Sequence, residues 1–459
     1  MKFAELEKNI FDLACELARE VTVKILESMD EQLMLDRDKK KYRSKQQIKN
    51  TIKTIYGDVE YKRRYYKNTD NGEYSFLLDQ ELEIGKEDGL YSSNMLVLIA
   101  EACMDMSYEK ASEHISEVTN QKVSKTACWN VVQDLGEKLN EYDNKLIKAN
   151  KEVNTDGKTV NVLFEETDGV WLKTQKPDKK KGKALETKIV TLYEGWDKEQ
   201  QDRLVGKKII GGVTKSTKLK KKTEAVINSI YNIDEIKLRV ISGDGASWIT
   251  DMSDGDVVYQ LDRFHILQYF NRYIKDKTKL KEVKQLLAER KVDEMLEYIE
   301  KIYNSVCQDN DKESEGLEKL LCYLKNNKDN ILRYNERDEI TVPTPESGIT
   351  YKNMGVQENQ NCSIITMRMK HRRMRWSESG ANNLIELLCF RENNNLQRIT
   401  EIYDFEIPVE KDAIKKAFSC ADIPKKIGKD KYFEQYRSLM PILSSDNNPL
   451  VETLRKITN

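Results

Sequence analysis

The chain has 459 residues, a formal net charge of −1, 34% charged and 39% hydrophobic residues. No run reaches the roughly 20 apolar residues of a membrane span, and the acid-bearing, amphipathic start "MKFAELEKNIFDLACELARE" excludes a signal peptide, so a cytoplasmic protein of two to four domains is expected. Eight cysteines without a C-x-x-C pair, and only His114, His265 and His371, exclude a zinc site and a disulfide scaffold.

Phe3, Leu6, Ile10, Leu13, Leu17, Val21 and Ile25 recur at helical spacing and predict one long helix over 1–40. Residues 49–67 alternate as a β-hairpin with its turn at Gly57-Asp58. Its second strand carries Arg63, Arg64, Tyr65 and Tyr66, a mixture of cations and aromatics that suits a nucleic-acid surface or an exposed edge strand. Residues 93–139 return to helix, with two amphipathic segments broken at Thr119-Asn120 and Ser124 placed to cap the second. This reads as a helix-turn-helix, or as an ordinary helical hairpin. In the first case Lys122, Lys125, Thr126 and Asn130 are the candidate DNA contacts. The whole of 41–150 is taken as a DNA-binding region.

From 155 the texture becomes α/β. "TVNVLFEETDGVWLKTQ", "ETKIVTLYEGW", "DEIKLRVISGDGASWI" and "DVVYQLDRFHI" read as strands, assigned to a first core segment over 151–265. Residues 266–340 contain a helical insertion, 341–400 the last part of the core, and 401–459 a tail of short helices. Three basic runs, 176–183, 215–222 and 368–375, bracket the strand ends. Within the last, Lys370, Arg372 and Arg373 are candidate contacts to the DNA backbone.

Asp168 in "FEETDG" and Asp244 in "SGDGA" both fall at expected strand ends. Gly243 and Gly245 read as a turn, or as space cleared for a metal ion or phosphate. Glu358 opens a helical segment in which Cys362, Ile365 and Met369 share its face; Glu378 and Glu386 are the rival third acids. Three converging carboxylates make an oxygen-rich site for Mg²⁺ or Mn²⁺. Two such ions would activate water and steady a leaving oxygen in phosphodiester cleavage. Strand-end acids, a helical insertion and then an acid on a helix followed by cations form the layout of an RNase H-like nuclease core. The fold class expected is therefore an α/β core with an RNase H-like mixed sheet and a helical insertion, preceded by a mostly helical DNA-binding region.

"FEETDGVWL", "SGDGASWI", "LDRFHI" and "MGVQENQ…RMKHRRMRWSESGA", in this order and spacing, resemble the ISLre-two family of bacterial insertion-sequence transposases, as does "GDVEYKRRYY" near the start. The likeness runs from about 45 to 400. It implies a DDE transposase that binds element ends, cuts them and joins them to target DNA, with Asp168, Asp244 and Glu358 in the three acidic positions. Asp262 and His265 in "LDRFH" resemble the C/D-x-x-H signature of the broader Mutator-like group. His265 could then orient a carboxylate or contact the scissile phosphate, or be a structural histidine held by Asp262; Arg263 reads as a phosphate or carboxylate clamp. Cutting two ends in one synapse implies at least a homodimer on double-stranded DNA. Two other readings stay open: a transposase-derived DNA-binding protein without catalysis, and a plain RNase H-like nuclease.

Overall fold

The computed structural model describes residues 2–82, 91–178, 182–250, 255, 257–306, 311–393 and 399; the expected tail 401–459 lies outside them. Two compact units emerge, one containing Met1–Ile99 and Ser112–Ser124, the other Ala100–Ala111 and Lys125–Leu396.

In the first unit, α1 (Phe3–Asp36) precedes β1 (Tyr42–Thr54), β2 (Gly57–Asn68), β3 (Tyr74–Phe76) and the short α2 (Leu77–Glu81). The three strands form an antiparallel sheet in the order β1-β2-β3. Thr54 pairs with Gly57, so the hairpin corner is Ile55-Tyr56, two residues before the expected Gly57-Asp58. Gly57 is where the chain leaves the corner, at φ +112°, a conformation glycine adopts without strain. Leu26 from the second half of α1 packs with Val59, Tyr61, Leu78 and Leu82. The expected apolar stripe is only partly used: Val21 is buried, whereas Phe3, Ile10 and Leu13 are exposed. Helical period identifies an amphipathic face but not what covers it.

Next come α3 (Ser93–Asp105), α4 (Tyr108–Val118) and α5 (Lys125–Ala149). In the turn after α4, Thr119 Oγ1 donates to Ile115 O at 2.7 Å and accepts from Gln121 N at 3.2 Å. This bends the chain where the polar break was expected.

The second unit continues through β4 (Val162–Asp178), β5 (Gly182–Tyr193), β6 (Gly195–Asp197), β7 (Leu204–Val205), β8 (Lys208–Gly212), α6 (Ser216–Ile230), β9 (Leu238–Gly243), α7 (Ser247–Thr250) and β10 (Val257–Leu261). Four helices follow: α8 (Arg263–Tyr273), α9 (Lys277–Ala288), α10 (Val292–Val306) and α11 (Asp311–Asn326). The chain then makes β11 (Ile349–Thr350), α12 (Gln357–Gln360), a π-helical segment Asn361–Lys370 and α13 (Glu378–Asn393).

The fold is mixed α/β. Its main sheet has the order β10-β9-β4-β5-β8, and a small sheet has the order β11-β6-β7. β4 pairs antiparallel with β5, and β5 with β8, while β4–β9 and β9–β10 run parallel. Side chains alternate across this sheet. Leu163 and Ile241 enter a core shared with α6 and the α8–α11 helices; their neighbours Phe164 and Val240 enter a second core with Tyr193, Trp196 and Tyr334. Four helical segments require four amphipathic faces, and the proline-free stretch after 266 supplies them.

α5 belongs to this unit. A Cβ at Gly136 would meet the Asn383 backbone of α13 at 2.6 Å, and Asn383 Nδ2 donates to Gln133 Oε1 at 3.0 Å. The compact unit therefore takes in helix that lies before the boundary expected near 150.

Candidate active site

The parallel ladder between β4 and β9 ends with Glu166 opposite Ser242. Asp168 and Asp244 each stand two residues further on. β10 extends the row: Leu261 pairs with Gly243, the Asp262 amide donates to Gly243 O at 2.7 Å, and Asp262 follows at once. Three acids thus line up at one end of three adjacent parallel strands, Asp168 on β4 and Asp244 and Asp262 each one residue past the end of its strand. β4 itself continues to Asp178, so Asp168 marks the end of the parallel pairing and not, as expected, the end of a strand.

Asp168 is buried, and its carboxyl is pushed up to about 6. Burial is the main cause; the Asp244 and Glu358 charges add to it, while the Gly169 amide and His265 oppose it. Those influences bring Asp168, Asp244, Glu358 and His265 into one electrostatic neighbourhood. Asp168 Oδ1 accepts from Gly169 N at 2.7 Å, and Oδ2 accepts from Asn361 Nδ2, also at 2.7 Å.

Asp262 does two jobs at the start of α8. Oδ1 accepts from Phe264 N at 3.0 Å as an N-cap, and Oδ2 lies 2.9 Å from His265 Nδ1. Burial pulls the His265 pKa down, but the bond and charge of Asp262, with Asp168 and Asp244 behind it, raise it overall. Arg263 clamps a carboxylate of the protein itself, Glu336, at 2.6 Å.

Glu358 lies in the first turn of α12, which is anchored by Glu166. The buried Glu166 carboxylate accepts from the backbone amides of Gly355, Val356 and Gln357 at 3.0, 2.9 and 3.1 Å, and from the Tyr193 hydroxyl at 2.5 Å. Burial raises the Glu166 pKa, and these donors hold it back. From α12 a polar relay runs inward. Thr191 Oγ1 donates to Gln357 Oε1 at 2.7 Å, Gln357 Nε2 to Asn361 Oδ1 at 2.9 Å, and Asn361 to Asp168. Of the face expected to pack on the sheet, Ile365 and Met369 are buried as expected, whereas Glu358 and Cys362 are exposed and Gln357 and Asn361 are buried in their place. The buried positions fall four apart, and the last three lie in the π-helical segment, whose i→i+5 bonds wind wider than an α-helix.

Glu386 is committed elsewhere. With Asp143 it flanks the buried Lys222 ammonium, Glu386 at 2.7 Å and Asp143 at 2.6 Å. Glu378 is exposed in the first turn of α13, which Ser377 Oγ caps through Gly380 N at 3.1 Å.

Gly243 and Gly245 make room for side chains of the protein rather than for a ligand. A Cβ at Gly243 would stand 2.7 Å from Ile249, and one at Gly245, whose φ is +90°, 3.0 Å from the Tyr323 ring. Among the described residues, no three His, Cys, Asp or Glu side chains form a ready-made cluster for a metal ion. The donor chemistry nevertheless suits a hard cation: the acids are oxygen donors, and the Asp244 and Glu358 charges add to the burial that raises Asp168.

Of the residues expected at DNA, Lys122, Lys125, Thr126, Asn130, Lys370 and Arg373 are exposed; the Arg372 side chain and those of 176–183 lie outside the described residues. Arg63 and Arg64 differ from expectation. Arg63 pairs with Asp79 and lies over the Phe76 ring, and Arg64 binds Asp30 at 2.6 Å, so both cations are tied into their own unit. Sequence reasoning did not single out Glu166, Gln357 or Asn361. A second acid in "FEETDG" and an amide pair four residues apart beside Glu358 were the available signals.

A model of UPF0236, described as an uncharacterised protein family, matches residues 1–404, and the chain belongs to that family. One relative, a UPF0236 protein of Caldanaerobacter subterraneus subsp. tengcongensis whose name joins eleven locus designations, is 25% identical over 413 residues, covering 87% of this chain and 80% of the relative. The UPF0236 protein in the vanSb 3′ region of Streptococcus gallolyticus is 24% identical, covering 85% of this chain and 83% of the relative. Among solved structures, the Drosophila P element transposase strand transfer complex matches with a TM-score of 0.24 and 11% identity, covering 76% of this chain and 88% of that chain. No helix among the described residues is long and apolar enough to cross a membrane.

Proposed function

We propose that this UPF0236 member is a DDE transposase of the ISLre-two type, with an RNase H-like core that cuts DNA at the ends of a mobile element and joins those ends to a target. The observation that carries the reading is the level placement of Asp168 and Asp244 beyond the last rung of two parallel strands, with Glu358 and His265 in the same electrostatic neighbourhood. The mixed sheet and the helices between Asp244 and Glu358 fit such a core. The relative named by eleven locus designations supports mobility, since recurrence within one genome is what a copied element leaves.

Asp168, Asp244 and Glu358 would hold Mg²⁺ or Mn²⁺, as two ions, which when bound polarise the phosphodiester and lower the pKa of an attacking water. Asn361 fixes one Asp168 oxygen while Glu166 fixes the helix that carries Glu358, so the two acids are set relative to one another. Asp262 fixes the tautomer of His265 and strengthens it as a base, so His265 can take or return a proton beside the acids. The exposed Lys122, Lys125, Thr126, Asn130, Lys370 and Arg373 provide duplex contacts; Arg63 and Arg64 are left out of that set. Two ends held together require at least a homodimer.

The test uses the full chain with duplex DNA taken from either side of its gene. Mg²⁺-dependent nicking at the element boundary and covalent joining to a second duplex are expected. Nicking without joining would favour the plain nuclease, and binding without nicking a DNA-binding descendant.

A further inference from the structure

A cavity of 350 Å³ in the second unit is lined by Tyr108, Trp129, Gln175, Arg368, Arg375 and Trp376, with other residues around them. Its volume falls within the roughly 300–1,000 Å³ of small-molecule sites. We propose that it receives one unstacked nucleobase of the bound DNA, a reading that rests on the DNA-handling function above.

The lining combines three aromatic side chains, Tyr108, Trp129 and Trp376, with the Arg368 and Arg375 cations. Trp376 is buried, with Nε1 bound to Met369 O at 2.9 Å, so its ring is fixed. The Arg368 guanidinium sits 5.4 Å from the Trp376 ring centre and 5.7 Å from that of Tyr108, and Nε donates to Cys103 O at 2.7 Å. Trp129 is 45% exposed, a large indole standing at the surface. It lies on the same exposed stripe of α5 as Lys125, Thr126 and Asn130, the expected duplex contacts. The Tyr108 hydroxyl is buried and has no hydrogen-bond partner among the described residues. A polar edge brought by a ligand would satisfy it.

This combination selects among occupants. An aliphatic side chain would leave the Tyr108 hydroxyl unmet and cover a guanidinium. A nucleobase has both a π-face for the indoles and a hydrogen-bonding edge for Tyr108 and Gln175. The exposed Lys370, Arg373 and Arg375 supply cations for the phosphates on either side of it. Gln175 lies seven residues beyond Asp168 on β4, roughly 23 Å at the strand rise. That is about seven nucleotide steps. The captured base therefore belongs to the strand near the cut, not to the scissile nucleotide itself.

The experiment places 5-iododeoxyuridine at successive positions near the element end, irradiates the complex with the full chain, and maps the crosslinked peptide by mass spectrometry. A crosslink to Trp129 or Tyr108 from a narrow window about seven nucleotides from the cut is expected. Trp129→Leu should lose it and bind DNA about tenfold more weakly, while Trp129→Phe retains stacking and most of the affinity. Because Trp129 is half-exposed, both variants should keep the wild-type melting temperature. DNA that binds but crosslinks only elsewhere, or Trp129→Leu with wild-type affinity, overturns the base pocket and leaves the transposase reading standing. Failure of the wild-type chain to bind DNA at all removes both.

Discussion

Asp168, on β4, and Asp244, one residue past the end of β9, stand level, each two residues past the rung that joins Glu166 to Ser242. Parallel strands advance in step, so the register sets both positions at the same end of the ladder, and a turn in which Asp244 Oδ1 accepts from Ala246 N at 2.9 Å holds the second carboxylate there. Asp262, one residue past the Leu261–Gly243 rung, extends the row. A slip of one residue between β4 and β9 would turn one acid to the opposite face. Convergence here is a property of the ladder and survives only with it.

Asp168→Asn and Asp244→Asn should therefore each leave DNA binding within about twofold of wild type and remove Mg²⁺-dependent cleavage. An amide keeps the shape but loses the charge that draws a cation. Metal stabilisation of several kcal/mol corresponds to a rate loss of at least about a thousandfold. Gel-based nicking assays at saturating DNA measure this. Cleavage at the wild-type rate in either variant would move the site elsewhere.

The strain of burying Asp168 beside other acids should also be visible without DNA. Burial, with the charges of Asp244 and Glu358, raises Asp168 from 3.8 to about 6. Between those values the folded protein holds a proton that the unfolded chain has lost, so stability falls as pH rises through the window. The full effect is at most about 3 kcal/mol, reached above pH 6. Asp168→Asn should accordingly melt higher than wild type at pH 7.5 in metal-free buffer, with the two converging near pH 4. Calorimetry across pH 4–8 tests it, and a variant that melts lower at pH 7.5 contradicts the assignment of strain.

Much of the second unit was legible because its strands and helices carry their periods openly; the long proline-free stretch could only be helical. The polar supports were not. Glu166, Gln357 and Asn361 are buried hydrogen-bonding side chains whose partners lie on other elements, and nothing periodic marks such a pairing. On α12 the buried position is Gln357, one residue before Glu358, so Glu358 faces outward while Ile365 and Met369 are buried as expected. On β2, Arg63 and Arg64 looked available only because Asp79 and Asp30, which hold them, lie on other elements.

The Gly-Asp-Gly stretch provides a sharper case. If Gly243 exists to clear space for Ile249, then Gly243→Ala should cost about 1–3 kcal/mol through overpacking. Trimming Ile249 to Val or Ala should recover part of that loss in the double variant, giving a coupling energy of at least about 0.5 kcal/mol. Gly245→Ala should cost about as much through its positive φ, and no trimming at position 249 should help. Chemical denaturation of wild type, the single variants and the two double variants settles the point. Strict additivity between 243 and 249 would mean that the glycine serves something other than the protein's own packing.

The identity of the third acid is the most discriminating test. Glu358, Glu378 and Glu386 all follow the helical insertion, but only Glu358 is among the charges that act on Asp168. Glu386 is one of two carboxylates neutralising Lys222 in the interior, with Asp143 as the other. Glu386→Gln should leave Lys222 one partner short and lower stability by about 1–3 kcal/mol, while cleavage by the folded fraction persists. Glu378→Gln, at an exposed first-turn position, should change stability by less than about 1 kcal/mol and leave cleavage intact. Glu358→Gln should do the reverse of Glu386→Gln, with an unchanged melting temperature and cleavage down by at least about a thousandfold. Paired melting and nicking measurements on the three variants separate the roles. If Glu358→Gln cuts normally and Glu386→Gln is folded but inert, the catalytic carboxylate is Glu386 and Lys222 is part of the active site.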